Sequence, residues 1–326
     1  MAVSEIQAAT YENRDKTVAD MVTDNIPLMM AIKAAGGVKT INGGRVFWEP
    51  AKIAQNGYVQ RIDPTEEITL GYQPTITDFE YSPKIMVCPI VINELEKAQN
   101  QGPDAFLDLM DLRTEVGEAS MMNNMELDLQ GDGTGFGGKA FAGIKSYIVD
   151  SPSTGTYGGV SRVSNTSIRN TAVNFVSTFT GATDSSNIEQ RLRYLKNKLV
   201  RNQGANRYIA LAGETYFNAA ADAMSAKQRF TKDDGLFKAG FDNVEIEGMT
   251  MVLANGKVFS GLSRIATDRV YVINTDNFKL KMYKGYNFQP LKTRTSFNQI
   301  VDASINIAIG QFTCNGAALS GVGFDS

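Results

Sequence analysis

Residues 133–140, GTGFGGKA, set Gly133, Gly138 and Lys139 at the spacing of a phosphate-binding loop. In such a loop backbone N–H groups cradle phosphate and the lysine meets its charge. That chemistry needs three further things: a strand to deliver the loop, a helix beginning at the lysine, and a hydroxyl after it to hold Mg²⁺. Here a helical segment comes before the loop, Ala140 takes the hydroxyl position, and AFAGIKSYIVD after it reads as turn and strand. All three conditions fail, so the stretch reads as a glycine-rich turn closing a helix. A second set of candidate groups is the row Asp104, Asp108, Asp111, Glu115 and Glu118, whose spacing puts five carboxylates on one helix face. Such a row could bind a hard cation or pair an acid with a base. A solvated face is the plainer reading. The chain has no histidine, which removes Ser-His-Asp and Cys-His nucleophiles and every His-containing metal site. Its two cysteines, Cys88 and Cys314, cannot make an all-cysteine zinc site. No catalytic residue, cofactor or metal is therefore assigned.

The 326 residues are 43% hydrophobic with a formal net charge of −3, enough apolar material for a real core and no bulk charge to recruit nucleic acid or an anionic membrane. The first residues, MAVSEIQAATYENRDK, lack a signal-type apolar region, and IPLMMAI is too short to span a bilayer. Two cysteines, one in each half, imply no disulfide framework and fit a reducing cytosol.

The elements that would position these groups follow from pattern. Residues 16–35 read as helix interrupted at Pro27. From Gly43 to Pro89 the texture is extended, rich in β-branched and aromatic residues and punctuated by Pro and Gly, which predicts a long hairpin. Two arms of ~15–20 residues would reach about 50–60 Å, against a radius of gyration near 20 Å for a compact chain of this size. Such a hairpin must protrude or fold back. Trp48, the single tryptophan, lies in it, to be buried against a neighbouring subunit or in a pocket of its own chain. Residues 103–130 predict a helix with Ala105, Leu109, Leu112, Val116 and Ala119 as its apolar stripe, and Met121, Met122 and Met125 as core or interface filler. Residues 151–185 read as a linking region. Residues 187–204 read as a second amphipathic helix with Ile188, Leu192, Leu195 and Leu199 inward. Its Arg191, Arg193, Lys196, Lys198 and Arg201 form a solvated or intersubunit face, with phosphate contact the lesser reading. From 243 onward the signal is mostly strand. The class is α+β, with sheet segments at both ends of an interleaved fold.

Taken together, three stretches resemble the major capsid proteins of tailed bacteriophages, the Hong Kong 97-type fold. They are NIPLMMAI…INGGRVFWEPAKIAQNGYVQRI, YSPKIMVCPIVINELEKAQNQGPDAFLDLMDLRTEVGEASMMNNMELDLQGDGTG and FAGIKSYIVDSPSTGTYGGVSR, the last carrying a Gly-Gly-x-x-Arg motif at Gly158, Gly159 and Arg162. The likeness covers about residues 18–165; beyond 200 it is one of pattern. NTSIRN at 165–170 departs from relatives that carry bulky aromatics there.

The resemblance implies an N-terminal arm over 1–42, an E-loop hairpin over 43–89, and a peripheral domain over 90–142 with a spine helix at 103–130. An axial domain with its linking region follows over 143–275, and 276–326 return to the peripheral domain. It implies a coat protein that assembles into an icosahedral head in the host bacterial cytoplasm and encloses double-stranded DNA without binding it specifically. Implied partners are further copies in hexamers and pentamers and a portal, with scaffolding and decoration proteins as further candidates; no membrane is involved. Trp48, Lys52 and Lys84 become candidate intersubunit contacts, and the carboxylate row becomes a candidate DNA-facing lining. Some members weld this hairpin through a Lys–Asn bond, but no partner asparagine or catalytic glutamate is assignable here, and none is expected. Two alternatives stand beside this reading: an encapsulin-type compartment shell, and a soluble nucleotide-dependent enzyme resting on the broken phosphate loop.

Overall fold

A computed structural model describes residues 27–99, 109–200, 208–226, 243–254, 265–290, 294–295 and 300–325. The first described helix, α1 (Pro27–Ala34), begins at its proline, and the expected helical stretch before it, residues 16–26, lies outside the described residues. Pro27 stands at its first turn, where the missing N–H costs nothing. The next N–H groups, of Leu28 and Met29, donate to Glu126 Oε1 and Oε2, both at 2.9 Å. A buried carboxylate thus satisfies the open end of a helix and sits where its dipole favours negative charge.

Strand β1 (Val38–Ile41) leads to the hairpin strands β2 (Phe47–Lys52) and β3 (Ile76–Tyr81), and β4 (Lys84–Asn93) follows. The strand ladder of the hairpin covers six residues on each side, and β4, which the extended pattern joined to the hairpin, lies outside it. It pairs along its whole length with β15 (Val301–Cys314), more than 200 residues later. Together with β1, β12 (Phe278–Tyr283), β13 (Gln289–Pro290) and β14 (Arg294–Thr295), these two strands make a six-stranded sheet, β1 lying parallel beside β12. Against β4 lie a short helix α2 (Glu94–Gln99) and the long α3 (Leu109–Gln130).

Helix α3 departs from its predicted stripe. Val116 is exposed, and the face turned inward carries Gly117, Met121, Met125 and Leu129. A Cβ at Gly117 would stand 3.3 Å from Ile90, so the glycine lets α3 approach β4 closely. Met121 and Met125 are core and Met122 is partly exposed. The start of the predicted helix, with Pro103, Asp104, Ala105 and Asp108, lies outside the described residues. After Gln130 the chain does not enter a strand: it makes one left-handed turn at 135–138 and one helical turn, Ile144–Tyr147.

The linking region contains short strands β5 (Thr156–Tyr157), β6 (Val160–Ser161) and β7 (Thr171–Asn174). Strand β7 opens a second six-stranded sheet, in the order β7, β16 (Gly321–Phe324), β11 (Arg269–Asn274), β8 (Tyr208–Ala212), β10 (Met249–Leu253), β9 (Asn243–Ile246). Helices α4 (Ile188–Leu199) and α5 (Glu214–Ala226) pack on it. Ile188, Leu192, Leu195 and Leu199 are all fully buried, as their spacing predicts. Arg191 is no surface cation. It is 1% exposed, donates to Thr183 Oγ1 at 2.7 Å and Gly181 O at 2.7 Å, lies 3.3 Å from Asp325 Oδ1, and is flanked by the rings of Phe175 and Phe179. Arg193 pairs with Glu247 at 2.6 Å, and Lys198 lies 4.4 Å from the centre of the Tyr194 ring. The last strands are divided: β12 to β15 join the first sheet and β16 joins the second.

Candidate assembly surfaces

The hairpin is built in two parts. At its root, β2 and β3 alternate, with Phe47, Glu49, Phe79 and Tyr81 turned inward and buried. Glu49, 3% exposed, accepts from Lys279 Nζ at 2.9 Å and Thr313 Oγ1 at 3.0 Å, and lies 2.7 Å from Lys281 Nζ. Burial alone would raise its carboxyl, but the hydrogen bonds and charges of Lys281 and Lys279 hold it below the usual carboxylate range. Lys281 also donates to the Trp48 carbonyl at 2.8 Å, and the Tyr81 hydroxyl to the Cys314 carbonyl at 2.5 Å. The Gly-Gly-x-x-Arg loop completes the clamp. Gly158 at φ +55° lies so close to Phe79 that a Cβ would stand 2.6 Å from it, and Gly158 O accepts from the Glu80 N–H at 3.0 Å. Buried Arg162 donates to the carbonyls of Ser146 and Tyr147, both at 2.9 Å, which ties that loop down.

Beyond the root, every residue from Ala54 to Pro74 is exposed. Side chains extend the hairpin where the strand ladder stops. Gln60 donates to Thr69 O at 2.8 Å and accepts from the Thr69 N–H at 3.1 Å, and the Gln73 side chain accepts from the Gly57 N–H at 2.8 Å. Tyr58, Val59, Ile62, Ile68, Leu70 and Tyr72 stand in solvent.

A second apolar surface lies on the first sheet. Ile85, Val87 and Val91 of β4 are exposed, and their face continues across the strand pair through Ile309, Ile307 and Ile305 of β15, which are half-buried. The opposite face of β4, with Ile90 and Ile92, packs inward beside α3. Strand β4 is a sheet edge, blunted where Pro89 has no N–H to offer and where Arg113 donates to Val91 O at 2.9 Å.

The predicted contact residues fall in different places. Trp48 is 56% exposed on the outward face of β2, and no pocket among the described residues holds it. Lys52 is exposed on the same face. Lys84 is occupied within the chain, donating to Gly138 O at 2.6 Å. Of the carboxylate row, Glu115 is exposed and Glu118 half-buried; Asp104, Asp108 and the Asp111 side chain lie outside the described residues. In the 133–140 loop Gly138 N–H donates to Thr134 O, Lys139 and Ala140 N–H to Gly135 O, and Thr134 N–H to Asp132 Oδ1. A loop that turns a carbonyl to Lys84 and spends the N–H of its lysine on its own backbone does not have the shape of a phosphate cradle. Among the described residues no group of three His, Cys, Asp or Glu could hold a metal ion, and no helix is long and apolar enough to cross a membrane. Sequence reasoning missed Glu49, whose place on a strand face between buried Phe47 and half-buried Ala51 was a legible signal. It also missed the alternation of Ile85, Val87, Pro89 and Val91.

No family model matches the sequence, and no curated protein does either. Solved structures do match in fold. The capsid asymmetric unit of cyanophage A-1(L) is similar with a TM-score of 0.72 at 15% identity, over 96% of each chain. The capsid of a native GTA particle matches at 0.60 and 10% identity, over 97% of this chain and 94% of that one. The holo-SrpI encapsulin complex of Synechococcus elongatus PCC 7942 matches at 0.59 and 9% identity, over 99% and 94%. The chain has the Hong Kong 97-like capsid fold, α+β, along essentially its whole length.

Proposed function

We propose that this chain is the major capsid protein of a tailed, double-stranded DNA bacteriophage, assembling with copies of itself into the hexamers and pentamers of an icosahedral head. The carrying observation is the likeness, over nearly the full length of both chains, to a cyanophage capsid subunit. It is closer in fold than the encapsulin, at a TM-score of 0.72 against 0.59. The surfaces support the same reading. A monomeric soluble protein rarely exposes a large contiguous apolar patch. This chain exposes two, the hairpin tip and the β4–β15 face, and each is the kind of surface a further copy covers.

In this reading 1–42 are the N-terminal arm and 43–89 the E-loop, with its working part at 54–74. Helix α3 is the spine of the peripheral domain, 90–142. The second sheet belongs to the axial domain of 143–275, and 276–326 return toward the first sheet. Every role is mechanical, so the chain is not an enzyme. A portal closes the head, and scaffolding and decoration proteins are further candidate partners. Heads form in the host bacterial cytoplasm around DNA that is held without specific contacts. Exposed Glu115, with the acids of its row, lines the interior as a surface that offers phosphate no cation.

The encapsulin match supports a second reading, a compartment shell. Negative-stain microscopy of the purified protein tests both. Closed shells, tubes or capsomers are expected; a monodisperse monomer at every concentration refutes both shell readings. Nuclease-protected DNA inside particles recovered from infected cells supports the phage head, whereas co-purifying enzyme cargo without nucleic acid supports the compartment.

A further inference from the structure

A cavity of about 390 Å³ lies between the free edge of β4, helix α3 and the 133–140 turn. Its walls are mostly apolar, Val87, Met121, Phe136 and Phe141 among them, with Ser120 and Asn124 as neutral polar members. Phe136 is held at φ 53°, a left-handed conformation that a bulky residue adopts only under constraint, and its ring stands exposed at the cavity. The single acidic group of the lining is Asp128, 7% exposed. Its Oδ2 accepts from the Phe141 N–H at 3.2 Å, and among the described residues Oδ1 has no partner and no cation lies within salt-bridge distance. Lys139 lines the cavity without pairing with it, Lys84 is spent on Gly138 O, and the Cys88 thiol is pushed up by burial and stays neutral. A mostly apolar cavity with one carboxylate that no cation pairs fits a side chain with an apolar stem and a cationic head.

Resting on the shell reading above, we propose that this cavity receives the Arg61 side chain from the hairpin of a second copy, its guanidinium pairing with Asp128. Charge complementarity selects the occupant. Between residues 47 and 81 the cations are Lys52 and Arg61. Arg61 belongs to the wholly exposed tip, has no partner among the described residues, and sits between apolar Val59 and Ile62. Its planar fork suits a carboxylate, and its neighbours suit the exposed Ile85, Val87 and Phe136 at the cavity. The contact is proton-linked. Burial lifts the empty-site Asp128 carboxyl to about 6 against the one hydrogen bond from Phe141, and a docked cation pulls it back down. Acidification therefore weakens this contact.

The test is assembly of the full chain, followed by light scattering and microscopy at pH 7 and pH 5. R61E, on an exposed loop where it cannot disturb folding, should lower particle yield at least about tenfold. D128N should lower it several-fold at pH 7 and lose most of the wild-type difference between the two pH values. D128R should not assemble, and R61D combined with D128R should recover most of the yield. Should R61E assemble like wild type, or D128N keep the full pH difference, the assignment is overturned. It is overturned equally if the exchanged pair gives no recovery while its melting shows a folded chain. Absence of particles from wild type itself would instead overturn the shell reading on which this one rests.

Discussion

At the root of the hairpin a carboxylate is buried and fully answered, by two lysines and a threonine hydroxyl from the sheet beneath. At its tip, farther along the same two arms, the arrangement reverses: apolar side chains stand in water and are answered by nothing among the described residues. The root resembles a protein interior, and the tip resembles half of one. What differs is where the complementary surface lies. The root's is on β12 and β15, so folding alone completes it; the tip's has to come from outside. A rigid base beneath an incomplete end is what a reaching element needs, because the base fixes direction while the end retains surface to bury on contact.

The strongest test removes the tip and keeps the root. Replacing 54–74 with a short Asn-Gly turn, which suits two strands in a tight hairpin, should leave a folded chain with near-native melting. Closed shells should vanish altogether in microscopy. The cut must stop there: removing 52–84 would also take buried Phe79 and Tyr81 from the core. A tip-less chain that still closes shells would erase the distinction between the two parts.

The next test attacks the root. Glu49→Ala leaves Lys281 largely buried without its carboxylate and should cost about 3 kcal/mol of unfolding free energy in denaturant titrations. Because the folded-state value of Glu49 is lowered, its stabilisation is fully present above the ordinary glutamate value of about 4.3 and is lost as pH falls below it. The gap between variant and wild type should therefore narrow in acid. A gap that widens in acid would contradict the ion-pair account of the root.

Asp128 extends the comparison to the surface where the tip is proposed to land. Its carboxyl is raised, so the sign is opposite: ionising it costs the unassembled chain stability as pH climbs from the ordinary aspartate value near 3.9 to about 6. Asp128→Asn keeps an acceptor for the Phe141 N–H and removes that cost. It should stabilise the unassembled chain by about 1–2 kcal/mol at pH 7, with no gain by pH 4. The same substitution is expected to weaken assembly. A purely structural aspartate would not move the two measurements in opposite directions.

How much of this was legible depends on how far apart the partners lie. The inward face of α4 was readable because Ile188, Leu192, Leu195 and Leu199 carry their own period. Helix α3 misled, since its inward side buries Glu126, Gln130 and Asp128 beside Met125 and Leu129. Glu126 is inside because it satisfies the end of α1, nearly a hundred residues earlier, and no local pattern announces such a partner. The hairpin was visible as extended chain, but β4 could not be told apart from it, because its partner β15 lies more than 200 residues later. Trp48 and Lys52 lie on the outward face of β2, and Lys84 donates to Gly138 O. The Asp128 cavity joins β4, α3 and the 133–140 turn, and only the fold brings them together.

The smallest effect is expected inside the tip itself. Gln60 makes both of its hydrogen bonds to Thr69, donating to the carbonyl and accepting from the N–H, in place of a strand pair. These bonds lie in solvent, where exchange with water leaves little net gain. Gln60→Ala should therefore change global stability by less than about 0.5 kcal/mol, since every residue of the tip is exposed. Its consequence should be local. The Thr69 amide loses its acceptor and should exchange with deuterium markedly faster, while amides of the root strands, such as those of Glu49 and Phe79, keep their protection. If the tip is held to the root as one cooperative unit, the faster exchange would spread into β2 and β3 and the melting would shift with it. Confinement of the change to the tip would mean that the chain folds its root and leaves the tip's order to be completed by a neighbour.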